Sequence, residues 1–254
     1  MMLKKKFIYP VISFSVIVLI WEMVVLYSGW SLQVFPGPVT VFNSFIELVM
    51  NGSLIDHSVA SLYRVTVGFY IGALLGIPLG IMLGRVAAIK FLVNPVIQFL
   101  RPISPLAWIP LSMLWFGIGD QPAIFLIFLS SFFPIVVATA IAVESINPIY
   151  FQVASNFNLS RIEMITKIVL PAIVPEVVTA LRLTIAIAWL VVVAAEMIAV
   201  QSGLGYLILD SRNALRMDYV MVAMIVIGLI GLVLDVIMYK LGRIEPISSA
   251  REHH

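Results

Sequence analysis

Seven ionisable residues fall inside apolar runs of this 254-residue chain: Glu22, Arg64, Arg101, Glu176, Arg182, Glu196 and Asp235. A charge held among apolar residues must either pair with an opposite charge or face something polar that passes by, because leaving water unpaired is costly. Other chemistries lack their parts. No G-x-x-x-x-G-K-[ST] stretch occurs, so the chain has no phosphate-cradling loop of its own. His57 has no second ligand at metal-site spacing, and there is no cysteine. Ser130-Ser131 lies in an apolar run with no base nearby, and no pair of carboxylates is set up for acid–base work. Any uphill transport by this chain must draw its energy from a partner or an ion gradient.

The elements that carry these residues are membrane spans. Apolar residues make up 62% of the chain and charged residues 11%, with a net charge of +2. Soluble domains are about 45–50% apolar and about 25% charged, and disordered chains are more polar still. A soluble enzyme and a disordered chain are excluded, and the charge is too small and too scattered to suggest nucleic acid. A crossing helix needs roughly 20 apolar residues, and such runs predict six spans, at about 7–27, 58–84, 89–117, 122–143, 171–200 and 219–241. The first run is too long for a signal peptide and lacks a small-residue cleavage site, so it reads as a retained span. One side of the membrane collects Lys4, Lys5, Lys6, Arg85, Lys90, Arg161, Lys167, Lys240, Arg243 and Arg251, against Arg212 and Arg216 on the other. Positive charge favours the cytoplasm, which puts both termini there. The chain reads as one all-α, polytopic domain over 1–254. Between the first two spans, Pro38 and the apolar residues Phe42, Phe45, Ile46 and Val49 predict a short amphipathic helix at the outer interface. It either caps the bundle or meets a partner.

Depth along the spans sorts the charges. Glu22 and Arg64 fall near outer ends, Arg182 and Asp235 in cytoplasmic halves, and structural pairing is expected for these four. Arg101 and Glu196 leave two readings open: they tie two helices, or they face a substrate. The third run carries Pro95, Pro102, Pro105 and Pro110. Each proline frees a carbonyl, tolerated at depth only where protein or water covers it, so residues 101–110 are expected inside the bundle beside the substrate path. The second run carries Gly68, Gly72, Gly76, Gly80 and Gly84 at a four-residue interval. Small residues let helices approach closely in lipid. A four-residue step overshoots a turn by about 40°, so two neighbours are expected to share the stripe.

The largest cytoplasmic connection, 144–170, has its own punctuation. Asn147-Pro148 reads as an N-cap with proline in the first turn of a helix reaching Phe157, and Asn158 suits a left-handed residue after it. Ser160-Arg161-Ile162-Glu163 is a capping box for a second helix, which Pro171 is expected to follow. Two short helices joined by a tight elbow result.

Here the chain resembles the permease subunits of binding-protein-dependent ABC importers. Gln152-Val153-Ala154, Asn158 and Ile168-Val169-Leu170-Pro171 match their "EAA" loop, with Gln152 in place of the Glu, Val153 of the first Ala, and Asn158 of the Gly. Ser61-Leu62-Tyr63-Arg64-Val65, the stretch from Leu100-Arg101-Pro102 to Trp108-Ile109-Pro110, Trp115-Phe116-Gly117-Ile118-Gly119, Leu181-Arg182-Leu183, Ala194-Ala195-Glu196-Met197 and Gly203-Leu204-Gly205-Tyr206 are similar to the nitrate/sulfonate/taurine/bicarbonate branch. The resemblance implies a MetI-like permease fold in the bacterial or archaeal cytoplasmic membrane. It further implies a homodimer in lipid, two cytoplasmic ATP-binding subunits that carry ATP and Mg, an external substrate-binding protein, and import of a small anion. This chain would then be no enzyme, with no cofactor or metal of its own and no nucleic-acid partner. Contact with the ATPase would fall to Gln152, Ala154, Ser155, Phe157, Asn158, Leu159, Ser160, Arg161, Leu170 and Pro171. The path, at the dimer axis, would be lined by Arg101, Ser104, Trp108, Thr184, Trp189 and Glu196. The alternative is an ion-coupled secondary transporter or channel. Such proteins often show internal repeats with matching broken helices, and the proline-rich third run has no counterpart in the second half.

Overall fold

The computed structural model describes residues 2–31 and 34–243, so Arg251, counted above to the cytoplasmic side, lies outside the described residues. The described chain is helical: α1 (Met2–Tyr27), α2 (Pro38–Met50), α3 (Ser53–Arg85), α4 (Ala87–Leu100), a 3₁₀ turn (Pro105–Trp108), α5 (Ile109–Phe116), α6 (Asp120–Glu144), α7 (Pro148–Asn156), α8 (Arg161–Met164), a π-helical turn (Ile165–Val169), α9 (Leu170–Ala199), α10 (Leu204–Asn213) and α11 (Met217–Arg243). Four helical stretches are long and apolar enough to cross a membrane: Ser53–Arg85, Asp120–Glu144, Arg161–Ala199 and Met217–Lys240. Val11–Tyr27, Ala87–Leu100 and Pro105–Phe116 are shorter apolar helices.

The centre of the bundle is α3 against α6, with α9 on α6 and then α10 and α11 on α9. The glycine stripe makes the first contact, and with one partner instead of the two expected. A Cβ placed on Gly68, Gly72, Gly76, Gly80 or Gly84 would come 2.7, 2.8, 3.3, 2.5 and 2.6 Å from the Cβ of Ile127, Ser131, Ile135, Thr139 and Val143 respectively. Those partners repeat every four residues too, so both stripes drift around their helices at the same rate and stay in register. The earlier expectation took a straight partner. Both helices carry a proline within the stretch in contact, Pro78 and Pro134, and proline bends a helix.

The pairing of 68 with 127 and of 84 with 143 makes α3 and α6 parallel, so the chain between them must climb back along the bundle. It does so in pieces. The run 89–117, expected as one span, is α4 of 14 residues, the 3₁₀ turn and α5 of 8 residues. Pro95 is carried inside α4 and Pro110 sits in the first turn of α5, where no N–H is needed. Pro105 makes the break: it drives Ser104 out of helical geometry, to ψ 131°. On the lower level α4 packs through Ile97 on Leu83 and Val136, and on the upper level Ile109 packs on Ala123, Leu126 and Ala195.

The short helix α2 buries Val41, Ser44 and Leu48 against the bundle and exposes Val39, Phe42 and Met50. Ser44 donates to Asp218 at the start of α11 at 2.7 Å. It therefore caps one end of the bundle.

Candidate functional site

Two polar assemblies stand out, one at each end of the bundle. At the end with few basic residues, Arg64 of α3 and Glu196 of α9 meet with Nη1–Oε1 at 2.6 Å. The arginine also donates from Nε to Asp120 of α6 at 2.8 Å and from Nη1 to the Ser202 carbonyl at 2.8 Å, and it bonds the Ser202 hydroxyl. Glu196 Oε2 accepts from Ser61 Oγ at 2.8 Å and from the Gly205 N–H at 3.0 Å. Ser61 in turn accepts from the Leu204 N–H, and His57 Nδ1 accepts from the Gly203 N–H at 3.0 Å. Gly203 has φ +102°, and a Cβ there would run into the Glu196 carboxyl. Burying two charges is costly unless their polar atoms find partners, and here every guanidinium nitrogen and both carboxylate oxygens have one.

Of the two readings left open for Arg101 and Glu196, a tie between the two is not formed, because Glu196 sits at the end of α9 that meets α3. Thr184, Trp189 and Glu196 are all buried inside the chain, and Trp189 Nε1 donates to the Ile227 carbonyl at 3.0 Å. Arg101, Ser104 and Trp108 lie together on the broken third segment, with Arg101 and Ser104 exposed and Trp108 half-buried. Arg182 pairs with Asp235 through two 2.8 Å bonds, as expected for a structural tie. Glu22 forms no ion pair among the described residues.

At the other end lies the elbow. The Asn147 side chain accepts from the Ile149 N–H at 3.0 Å and starts α7. The Leu159 N–H closes on the Ala154 carbonyl at 3.0 Å while Asn158 takes φ +51°. Asn tolerates that left-handed state better than any residue but Gly. The capping box is formed: the Glu163 N–H donates to Ser160 Oγ at 3.3 Å, and Glu163 Oε2 accepts from the Ser160 N–H at 3.0 Å. Lys167, then the Ser160 N–H and hydroxyl, hold the Glu163 carboxyl at about 2.

The second arm differs from expectation. It does not end before Pro171 but runs through α8 and the π turn straight into α9, as one helix from Arg161 to Ala199. The Leu170 N–H reaches back to the Ile165 carbonyl across the widened turn, which shifts the hydrogen-bond register just where Pro171 has no N–H to give. Such a turn could not be read from the sequence, since no residue type marks it.

Of the residues assigned to the elbow contact, Gln152, Ser155, Phe157, Asn158, Ser160, Arg161, Leu170 and Pro171 are exposed, Leu159 is half-buried and Ala154 is buried. Phe151 and Val169 lie beneath, packed with Ile81, Val143, Ile146 and Ile173. One face of the elbow is seated on the bundle and the other presents Phe157 and Ile162, each about three-quarters exposed (76% and 74%).

Long apolar helices, an interior ion cluster and a two-armed elbow beyond the bundle define a polytopic membrane transport subunit. The chain belongs to the family described as the binding-protein-dependent transport system inner membrane component, whose model matches residues 76–244. It is 41% identical over 223 residues to a putative ABC transporter permease protein of Methanocaldococcus jannaschii, covering 86% of this chain and 83% of that protein. It is 34% identical over 229 residues to the putative aliphatic sulfonates transport permease protein SsuC of Bacillus subtilis, covering 90% and 83%. The fold is also that of a bacterial ABC transporter involved in the import of the acidic polysaccharide alginate, with TM-score 0.67, 20% identity, and 95% and 93% of the two chains covered. The chain is thus a multi-pass permease subunit of an inner-membrane ABC importer.

Proposed function

We propose that this permease works as a homodimer driven by two cytoplasmic ATPase subunits, which carry the ATP and Mg, and fed by an external binding protein with a small anion of the nitrate, sulfonate or bicarbonate kind. The observation that carries the coupling is the elbow: two capped helices on the basic end of the bundle, seated on one face and presenting Phe157 and Ile162 on the other. The parallel run of α3 and α6 supports six crossings, with α1 first and with α4 and α5 together forming the third, and the basic residues around the elbow support a cytoplasmic side for both termini. Arg101 supports the choice of an anion. Arg64 and Arg182 have carboxylate partners, whereas Arg101 has none among the described residues and stands at the helix break. A guanidinium keeps its charge even where water is scarce, so Arg101 draws the anion and Ser104 offers it a hydroxyl.

The test is reconstitution of the permease with its ATPase subunits in liposomes. Binding protein loaded with an aliphatic sulfonate, nitrate or bicarbonate should stimulate ATP hydrolysis and anion uptake together. Uptake by the permease alone, driven by an ion gradient, would instead establish a secondary transporter.

A further inference from the structure

Arg85 ends α3 and lies against both arms of the elbow. Its guanidinium carbon stands 3.9 Å from the ring centre of Phe151 on α7. Its Nη2 donates to the Met164 sulfur on α8 at 3.0 Å. The ion pairs of the described residues engage Arg64, Lys90, Lys167, Arg182 and Arg216, and leave Arg85 to these two contacts. A cation over an aromatic face is attractive even at a surface, and a thioether is a soft, polarisable neighbour. Phe151 itself is half-buried against Ile81, one turn back on α3.

The elbow is also joined to the bundle through the chain itself at two places, by residues 145–147 to the end of α6 and by its second arm into α9. The joint into α9 is a π turn followed by Pro171 and Pro175, so the helix there lacks two N–H donors and has a widened ring of hydrogen bonds. A joint of this kind is compliant. The α3 end is the opposite. Gly84 lies so close to α6 that a Cβ would sit 2.6 Å from that of Val143, and the same near-backbone contact continues for four more glycines. Whatever holds the elbow to α3 therefore holds it to α3 and α6 as a unit.

We propose that Arg85 is a positioning residue that pins both arms of the elbow to the inner end of α3, so that a push on the elbow reaches α3 directly and not only by way of the chain connections to α6 and α9. This rests on the reading that the elbow docks on an ATPase subunit.

The chain contains no cysteine, which makes the test direct. The complete complex of permease, ATPase subunits and binding protein in liposomes is compared as wild type, Arg85→Ala, Arg85→Lys and the pair Arg85→Cys/Met164→Cys. Arg85→Ala should assemble and keep its basal ATP hydrolysis, while stimulation by loaded binding protein falls at least fivefold. Arg85→Lys, which keeps a cation for Phe151 but loses the fork, should be intermediate. The reduced cysteine pair should behave like Arg85→Ala, and a short bifunctional thiol reagent should bring stimulation back to within twofold of wild type. That rescue is the readout a merely structural arginine would not give. The proposal is overturned by wild-type stimulation in Arg85→Ala, by loss of assembly in Arg85→Ala and Arg85→Lys alike, by a cysteine pair that does not cross-link, or by a cross-linked pair that stays as unresponsive as the reduced one. A wild-type complex that shows no stimulation would sink the docking reading instead, and this proposal with it.

Discussion

Arg64 and Glu196, separated by 132 residues, meet at 2.6 Å with side chains 2% and 0% exposed. The pair fastens the ends of α3 and α9, and through Asp120 and Ser202 it also holds the start of α6 and the loop before α10. Removing one partner leaves an uncompensated buried charge, which costs about 3–5 kcal/mol. Glu196→Ala should lower thermal stability in detergent by that order, and Asp120→Ala, whose carboxylate is half exposed, by much less. The reversed pair Arg64→Glu/Glu196→Arg should not recover. The Gly205 N–H donates toward position 196 and suits only an acceptor, and the Ser61 hydroxyl, which also donates there, would have to turn round to accept. A melting curve for the reversed pair that matches wild type would contradict this account.

The glycine stripe makes a graded prediction. At Gly80 a Cβ would meet the Val136 carbonyl at 2.7 Å as well as Thr139, whereas at Gly76 the nearest atom is the Ile135 methyl at 3.1 Å. Overpacking costs roughly 1–3 kcal/mol. Gly80→Ala should reach that range and Gly76→Ala fall below it, read as unfolding temperature and yield of the assembled complex. Thr139→Val should be close to neutral, because the Thr139 hydroxyl is buried without a hydrogen-bond partner and loses nothing.

At the elbow, Asn158 holds φ +51°. Asn158→Gly should be tolerated. Asn158→Val, which resists the left-handed state by about 1–2 kcal/mol, should weaken the stimulation of ATP hydrolysis by loaded binding protein while leaving the bundle folded. Full stimulation in the valine variant would remove the elbow from the coupling route.

Arg101 separates substrate handling from packing. Arg101→Gln should leave melting temperature and complex yield unchanged, since no carboxylate loses a partner, yet reduce anion uptake at least tenfold. An equal loss of stability would make Arg101 a structural residue.

Local signals were legible in the sequence and distant ones were not. Asn147, Ser160 and Glu163 act within three residues of themselves, so their caps could be read directly. The glycines announced a close contact, but not its partner, because the drift of the stripe was judged against a straight helix while α6 drifts with α3. Pro102 and Pro105 marked a broken helix, which is found, but with four prolines in one apolar run the position of the break at Ser104 could not be singled out. Glu196 was visible as an intramembrane carboxylate. Its link to Arg64 depends on how α3 and α9 are brought together, which no spacing along the chain encodes.

The same separation sets a timetable for making the protein. Chains emerge at roughly 5–20 residues per second, so Arg64 is synthesised some 7–26 s before Glu196, 132 residues later. Asp120 arrives sooner, 56 residues after Arg64, and gives the arginine a first, half-exposed carboxylate while the rest of the chain is still on the ribosome. The start of α3 must stay near water or protein through that interval. The end of the bundle that holds this cluster consequently cannot close until α9 and the start of α10 have been delivered to the membrane.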